Sequence, residues 1–192
     1  MAVPVFRRIL MLLFRPDAAW SSIAGERVTL DALLRRWILP FSLIAPVMLA
    51  IGVTAFDQAW NPELGYRVLP RGIYPVVLTT FLSSVAAVFM LAGIFSWIAP
   101  SFGPKPSFMP ALKVAVFGSV PMWLASALLF LMPMIIAVMF AFFFSCYHYY
   151  LGVAKVLGIA EDRAAEFVAI SMVLLSLALM LAGAAGSWVG VL

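Results

Sequence analysis

The sequence predicts an all-α integral membrane protein with five transmembrane helices and a short amphipathic N-terminal arm. Three observations carry that prediction. Of the 192 residues 66% are hydrophobic and only 10% are charged, with a mean hydropathy of +1.13, whereas soluble domains average roughly 45–50% apolar and about 25% charged residues. Forty-one consecutive residues, Val114–Ala154, lack Asp, Glu, Lys and Arg. A helix crosses the hydrocarbon core with about 20 residues, so this run is long enough for two crossings. Pro133, in Leu131-Met-Pro-Met134, supplies the turn between them because it cannot donate a backbone hydrogen bond. The third observation is charge placement. Six arginines (7, 8, 15, 27, 35, 36) precede the first span, and Lys105, Lys113, Lys155 and Arg163 fall in later connections on the same side; only Arg67 and Arg71 fall opposite. Basic residues concentrate in cytoplasmic connections. The N-terminus is therefore expected in the cytoplasm and, after five spans of an inner (cytoplasmic) membrane, the C-terminus outside.

Residues 1–36 form the expected arm. Arg7 and Arg8 precede only six apolar residues before Arg15, too short a run for a secretory signal, which needs about 7–15. Val5, Phe6, Ile9, Leu10, Leu13 and Phe14 instead follow helical spacing with cationic flanks, the pattern of a helix lying in the membrane interface. Arg7, Arg8, Arg15 and Trp20 are the residues expected to carry that role, and anionic lipids the expected partners. Pro16-Asp17 breaks this helix and caps a second, which Gly25 ends. Thr29 or Asp31 caps the helix that brings Arg35 and Arg36 to the membrane edge, with Trp37 as interfacial anchor.

The membrane domain is expected over 37–192, with spans at about 37–56, 74–99, 111–129, 134–153 and 167–189. Pro40 and Pro46 predict a bend in the first span. Asp57–Arg71 is a polar connection, and four prolines between Pro100 and Pro110 predict a stiff, non-helical loop. The third span carries Pro121 and Trp123. The fourth ends in a tyrosine-rich aromatic belt, and Glu161 and Asp162 suit the positive N-terminal end of the fifth helix. In the fifth span Ala178, Ala182, Gly186 and Gly190 recur every four residues, a smooth stripe that lets helices approach closely within the bundle or across a homo-oligomer seam.

Chemistry-bearing residues are scarce. No span centre holds Asp, Glu, Lys or Arg, the usual mark of proton relays, and no Walker loop, Gly-rich nucleotide fingerprint or HExxH run occurs. Cys146 and His148 are two apart on one helix and point to different faces, so they do not form a metal site by themselves. The lone cysteine excludes an internal disulfide. No catalytic residue, cofactor or metal is expected. The net charge of +4 comes from basic residues flanking apolar spans rather than from a nucleic-acid surface.

Several stretches resemble the Ypt-interacting-protein (Yip) family in its short prokaryotic form: Pro121-Met-Trp123-Leu-Ala125, Pro133, Tyr147-His-Tyr-Tyr150-Leu-Gly152, Leu157-Gly158 with Glu161–Ala165, and Pro16–Glu26. The resemblance implies a five-helix fold with a cytoplasmic N-terminus. Eukaryotic relatives act in vesicle traffic and contact lipidated small GTPases and sister proteins. This chain lacks their long N-terminal region and their Asp-Leu-Tyr-Gly-Pro motif; its nearest counterpart, Ile98-Ala-Pro-Ser-Phe-Gly-Pro104, has neither the Asp nor the Tyr, which argues against GTPase binding. The expected function is non-enzymatic organisation of membrane or scaffolding of partners, other membrane proteins included. The alternative is a small transporter or channel for a neutral or lipid-like substrate, working between proline-bent spans.

Overall fold

The computed structural model describes residues 4–55, 60–61, 66–67, 73–104, 106–128 and 135–188. The N-terminal helix α1 (Val5–Phe14) stops at Arg15, whose φ of −141° leaves the helical region. Pro16 then starts α2 (Pro16–Gly25) at its first position, where a missing N–H costs nothing. The cap expected from Pro16-Asp17 is not made, since Arg15 holds the N-cap position without a side-chain bond and Asp17 lies in the first turn, taken by Lys155. Thr29 caps α3 (Leu30–Leu33), its hydroxyl accepting from Ala32 N at 3.3 Å. Asp31, the other expected cap, instead pairs with Arg35 at 2.6 Å on the exposed face.

The first span runs from α3 through a π-helical turn (Leu34–Ile38) into α4 (Leu39–Ser42) and α5 (Ile44–Ala55). Both expected prolines explain its irregularity. Pro40 cannot bond the carbonyl of Arg36, which lies in the π turn, and Pro46 cannot bond that of Ser42, after which the helix is interrupted at Leu43. Trp60–Asn61 (β1) and Tyr66–Arg67 (β2) pair antiparallel within the polar connection, with Trp60 opposite Arg67.

The second span is α6 (Ile73–Ile98), continued by a 3-10 turn over Ala99–Phe102. Gly103 follows with φ +109°, a conformation that requires glycine. The proline-rich loop is shorter than expected, because Pro110 sits in the first turn of α7 (Phe108–Gly118), where proline is tolerated. Pro121 has no N–H for the Phe117 carbonyl, so the helix breaks at Ser119 and restarts as α8 (Val120–Ser126). The expected hairpin turn at Leu131–Met134 lies outside the described residues. Next come α9 (Ile135–Gly152) and a π turn (Val153–Leu157), closed by Gly158 in the left-handed conformation at φ +76°. The last helix, α10 (Glu161–Trp188), starts before the expected span and places Glu161 and Asp162 in its first turn.

Four helical stretches among the described residues are long and apolar enough to cross a membrane: Leu30–Gly52, Ile73–Phe102, Phe108–Ser126 and Glu161–Ala184. They match expected spans one, two, three and five. The expected fourth span is helical as α9, which carries no charged side chain, but it is not among those four.

α7 is the central element. Every residue from Ala111 to Pro121 is buried, and α6, α9 and the π turn after α9 pack around it. The core joins Phe95, Phe117, Trp123, Tyr149 and Phe167 to Trp20 from the arm. Facing outward are Leu78, Leu82 and Trp97 on α6, Phe140 and Phe143 on α9, and Leu177, Met180 and Leu181 on α10. An apolar outer surface of this extent suits hydrocarbon rather than water. The molecule is a multi-pass membrane protein.

Candidate functional site

The residues that combine charge, burial and long-range contact gather where the arm meets the helices. Trp20 is fully buried. Its indole Nε1–H donates to His148 Nδ1 at 3.0 Å, which makes Nδ1 an acceptor and places the proton of a neutral imidazole on Nε2. The indole lies against bare backbone: a Cβ built on Gly152 would come within 2.8 Å of both Trp20 Cη2 and Val114 Cγ1. Glycine at 152 therefore lets α2 seat itself against α7 and α9. Beside this plug, Lys155 Nζ donates to the Asp17 carboxylate, to Asp17 O at 3.1 Å and to Ser21 Oγ at 3.0 Å.

A second latch holds α1. The Arg8 guanidinium, 2% exposed, donates to the Glu26 carboxylate and to Ser22 Oγ at 3.3 Å. Lys113 Nζ donates to the Glu26 backbone carbonyl at 2.7 Å, tying α7 to the same point. With Arg8 and Leu12 directed inward, α1 leaves Phe6, Leu10 and Phe14 exposed, one stripe at four-residue spacing, with Arg7 and Arg15 exposed beside it. Of the four residues expected at the interface, Arg7 and Arg15 are on the surface. Arg8 and Trp20 are inside instead, because Glu26 and His148, distant in sequence, supply polar partners that allow their burial.

Between these parts lies a pocket of about 550 Å3, lined by Arg8, Glu26, Arg27, Arg36, Trp37 and Phe117 among others. Its aromatic floor is a packed pair, Trp37 edge-on to Phe117 at 4.9 Å. A second cavity of about 410 Å3 lies among α6, α8, α9 and α10 and is lined by Ser84, Ser119, Trp123, Phe142, Tyr149 and Leu175, with no charged side chain in its lining.

The motif residues are mostly structural. Pro121 and Trp123 are buried, and Trp123 Nε1 donates to Ser84 Oγ at 3.1 Å, fixing α8 on α6. Tyr150 is half-buried and Tyr147 exposed. Tyr149 between them is buried and shares a 2.8 Å hydrogen bond with Ser119 Oγ. Its ring crosses α7 at Gly118, where an added Cβ would lie 2.3 Å from Tyr149 Cδ1. Of the small-residue stripe, Ala178 is half-buried, Ala182 is exposed, Gly186 lies within α10, and Gly190 is outside the described residues. Cys146 is half-buried and His148 fully buried; no group of three His, Cys, Asp or Glu among the described residues is placed to hold a metal ion.

Sequence reasoning missed Gly118 and Ser84 and saw Glu26 only as the end of a family-like stretch and Lys113 only as an orientation charge, because their contacts with Tyr149, Trp123, Arg8 and each other join distant parts of the chain. Arg27 and Arg36 were visible as orientation charges, but not as the lining of one pocket.

Comparison with known proteins gives one family. The family model described as the Yip1 domain matches residues 10–183. No curated protein and no solved structure matches. The matched range takes in most of the docked arm, the whole lining of the second cavity and all of the first cavity's lining except Pro4, Val5 and Arg8, and the chain belongs to the Yip1 family.

Proposed function

We propose that this protein is a non-enzymatic, five-span component of the inner (cytoplasmic) membrane that organises lipid around itself and scaffolds membrane partners, with its N-terminus in the cytoplasm and its C-terminus outside. The observation that carries the reading is the two-faced α1. Its inner face is latched through Arg8 and Leu12, while Phe6, Leu10 and Phe14 with Arg7 and Arg15 remain outside. Such a helix lies in the boundary between headgroups and acyl chains and attracts anionic lipid. Ten of the twelve basic residues falling on one side of a five-span path support the orientation, and the helical α9 supplies the fifth crossing. The exposed Ala182 on α10 offers a smooth face to a second copy or another membrane protein.

The test keeps the bundle intact. Trp20 belongs to the core, so removing the whole arm would disturb the fold, whereas Phe6→Ser, Phe14→Ser, Arg7→Gln and Arg15→Gln change exposed side chains only. In vesicles of mixed phosphatidylglycerol and phosphatidylcholine, the wild type should enrich anionic lipid in its surrounding shell. The fourfold variant should lose that enrichment while remaining inserted. Equal anionic-lipid and partner recovery from both proteins overturns the proposal.

A second reading is supported by the 410 Å3 cavity. Its volume falls in the range of about 300–1,000 Å3 for small-molecule pockets, and its uncharged, mainly apolar lining suits a neutral or lipid-like molecule carried by a small transporter. Substrate-dependent flux in proteoliposomes distinguishes this reading from the first.

A further inference from the structure

The 550 Å3 pocket between α1, the segment after α2, and the start of the first span holds three arginines and one glutamate. The glutamate is already committed: its carboxylate accepts from Arg8 and from Ser22 Oγ at 3.0 Å. Its backbone carbonyl takes the Lys113 ammonium. The carboxylate nearest the entrance to the span, Asp31, is held by Arg35. Arg27 and Arg36 therefore line the pocket exposed and without an acidic partner among the described residues. Two unpaired guanidiniums beside one pocket repel each other and gain from a shared anion.

The rest of the pocket says which anion. Arg36 immediately precedes Trp37, within the helical stretch Leu30–Gly52 that enters the membrane. Below the arginines the floor is Trp37 and Phe117, backed by Phe41 stacked on Trp37 at 5.4 Å. A free inorganic anion gains nothing from an aromatic floor, whereas the glycerol and first methylenes of a lipid do. Guanidinium groups bind phosphate through paired hydrogen bonds that ammonium groups do not reproduce. We infer that this pocket holds one anionic glycerophospholipid, its phosphate between Arg27 and Arg36 and its glycerol region on Trp37 and Phe117. The inference rests on the membrane placement proposed above but not on the role of α1: Arg7 and Arg15 do not line the pocket.

The experiment is native mass spectrometry of the full chain released from nanodiscs containing equal phosphatidylglycerol and phosphatidylcholine. The expected result is a discrete one-to-one adduct with phosphatidylglycerol. Arg27→Gln with Arg36→Gln should lower adduct occupancy by about tenfold or more, because each guanidinium–phosphate contact is charge-assisted. Arg7→Gln with Arg15→Gln should retain the adduct even where the surrounding lipid shell loses its anionic enrichment, so failure of the shell and failure of the site read out separately. Arg27→Lys with Arg36→Lys keeps the charge but not the fork and should give intermediate occupancy. An adduct unaffected by Arg27→Gln with Arg36→Gln, or equal retention of phosphatidylcholine, overturns the assignment. Displacement of the lipid by inorganic phosphate at comparable concentration overturns it in favour of a soluble anion.

Discussion

Gly152 and Trp20 are a pair in which neither residue explains itself. A glycine inside an apolar helix costs about 1 kcal/mol relative to alanine, and a tryptophan in a basic arm reads most simply as an interfacial anchor. Together they form a joint, because the indole occupies the space a Cβ would need and its N–H satisfies an otherwise buried imidazole nitrogen. Gly152→Ala should therefore unseat α2 despite raising helix propensity. Trp20→Phe keeps most of the ring but leaves His148 Nδ1 without its donor, and should cost about 1–3 kcal/mol. Thermal unfolding in one detergent, read at the midpoint, checks both; a Gly152→Ala protein at least as stable as wild type would refute the joint. This scale also marks the limit of the sequence. The aromatic and small residues of Tyr147–Gly152 were legible as a motif and Pro121 as a break. That Trp20 faces His148, 128 positions away, was not, because periodicity shows which face of a helix is apolar and never what covers it.

At the scale of elements, helix boundaries were the most legible feature, since they are set by local chemistry. Pro16 starts α2, Thr29 caps α3, Pro46 and Pro121 interrupt their helices, and Glu161 and Asp162 open α10. The docking of the arm was not legible, because it depends on ion pairs made at a distance. Its two latches differ in kind. The Arg8–Glu26 side chains are 3% and 32% exposed, whereas those of Lys155 and Asp17 are 23% and 74% exposed. Solvent weakens the second pair, and exposed pairs contribute about 0–1 kcal/mol. Removing one member of a largely buried pair costs more, because its partner loses both charge compensation and hydrogen bonds. Arg8→Met should thus release α1, raising amide exchange across Val5–Phe14, while Lys155→Met should leave that helix protected. Equal exchange in the two variants would show that α1 is held by Leu12 and its apolar neighbours alone.

For the whole molecule, the decisive quantity is whether the number of crossings is odd or even. Four crossings return the C-terminus to the side of the N-terminus, whereas a fifth puts it on the opposite side. Beside the four helical stretches long and apolar enough to cross, α9 settles the count, and its halves differ in character. Phe140, Phe142 and Phe143 on the first half are exposed as on a lipid-facing helix. The second half is polar but turned into the bundle: His148 Nδ1 accepts from Trp20 and Tyr149 bonds to Ser119, while Ser145 Oγ and His148 Nε2 are buried without a partner among the described residues. Polar side chains that face the interior of a bundle rather than lipid are compatible with a crossing. The five-span path should therefore hold, and the chain offers a clean way to read it. Cys146 is its single cysteine, so Cys146→Ser gives a background into which one reporter thiol is placed at a time. A thiol at Ala2 should react with an impermeant maleimide only after the membrane is opened, and a thiol at Leu192 should react in intact cells. Reaction of both in intact cells, or of neither, would mean an even number of crossings and would remove α9 from the membrane path. It would also put the loops carrying Lys105 and Lys155 on opposite sides, against the charge asymmetry that orients the rest of the chain.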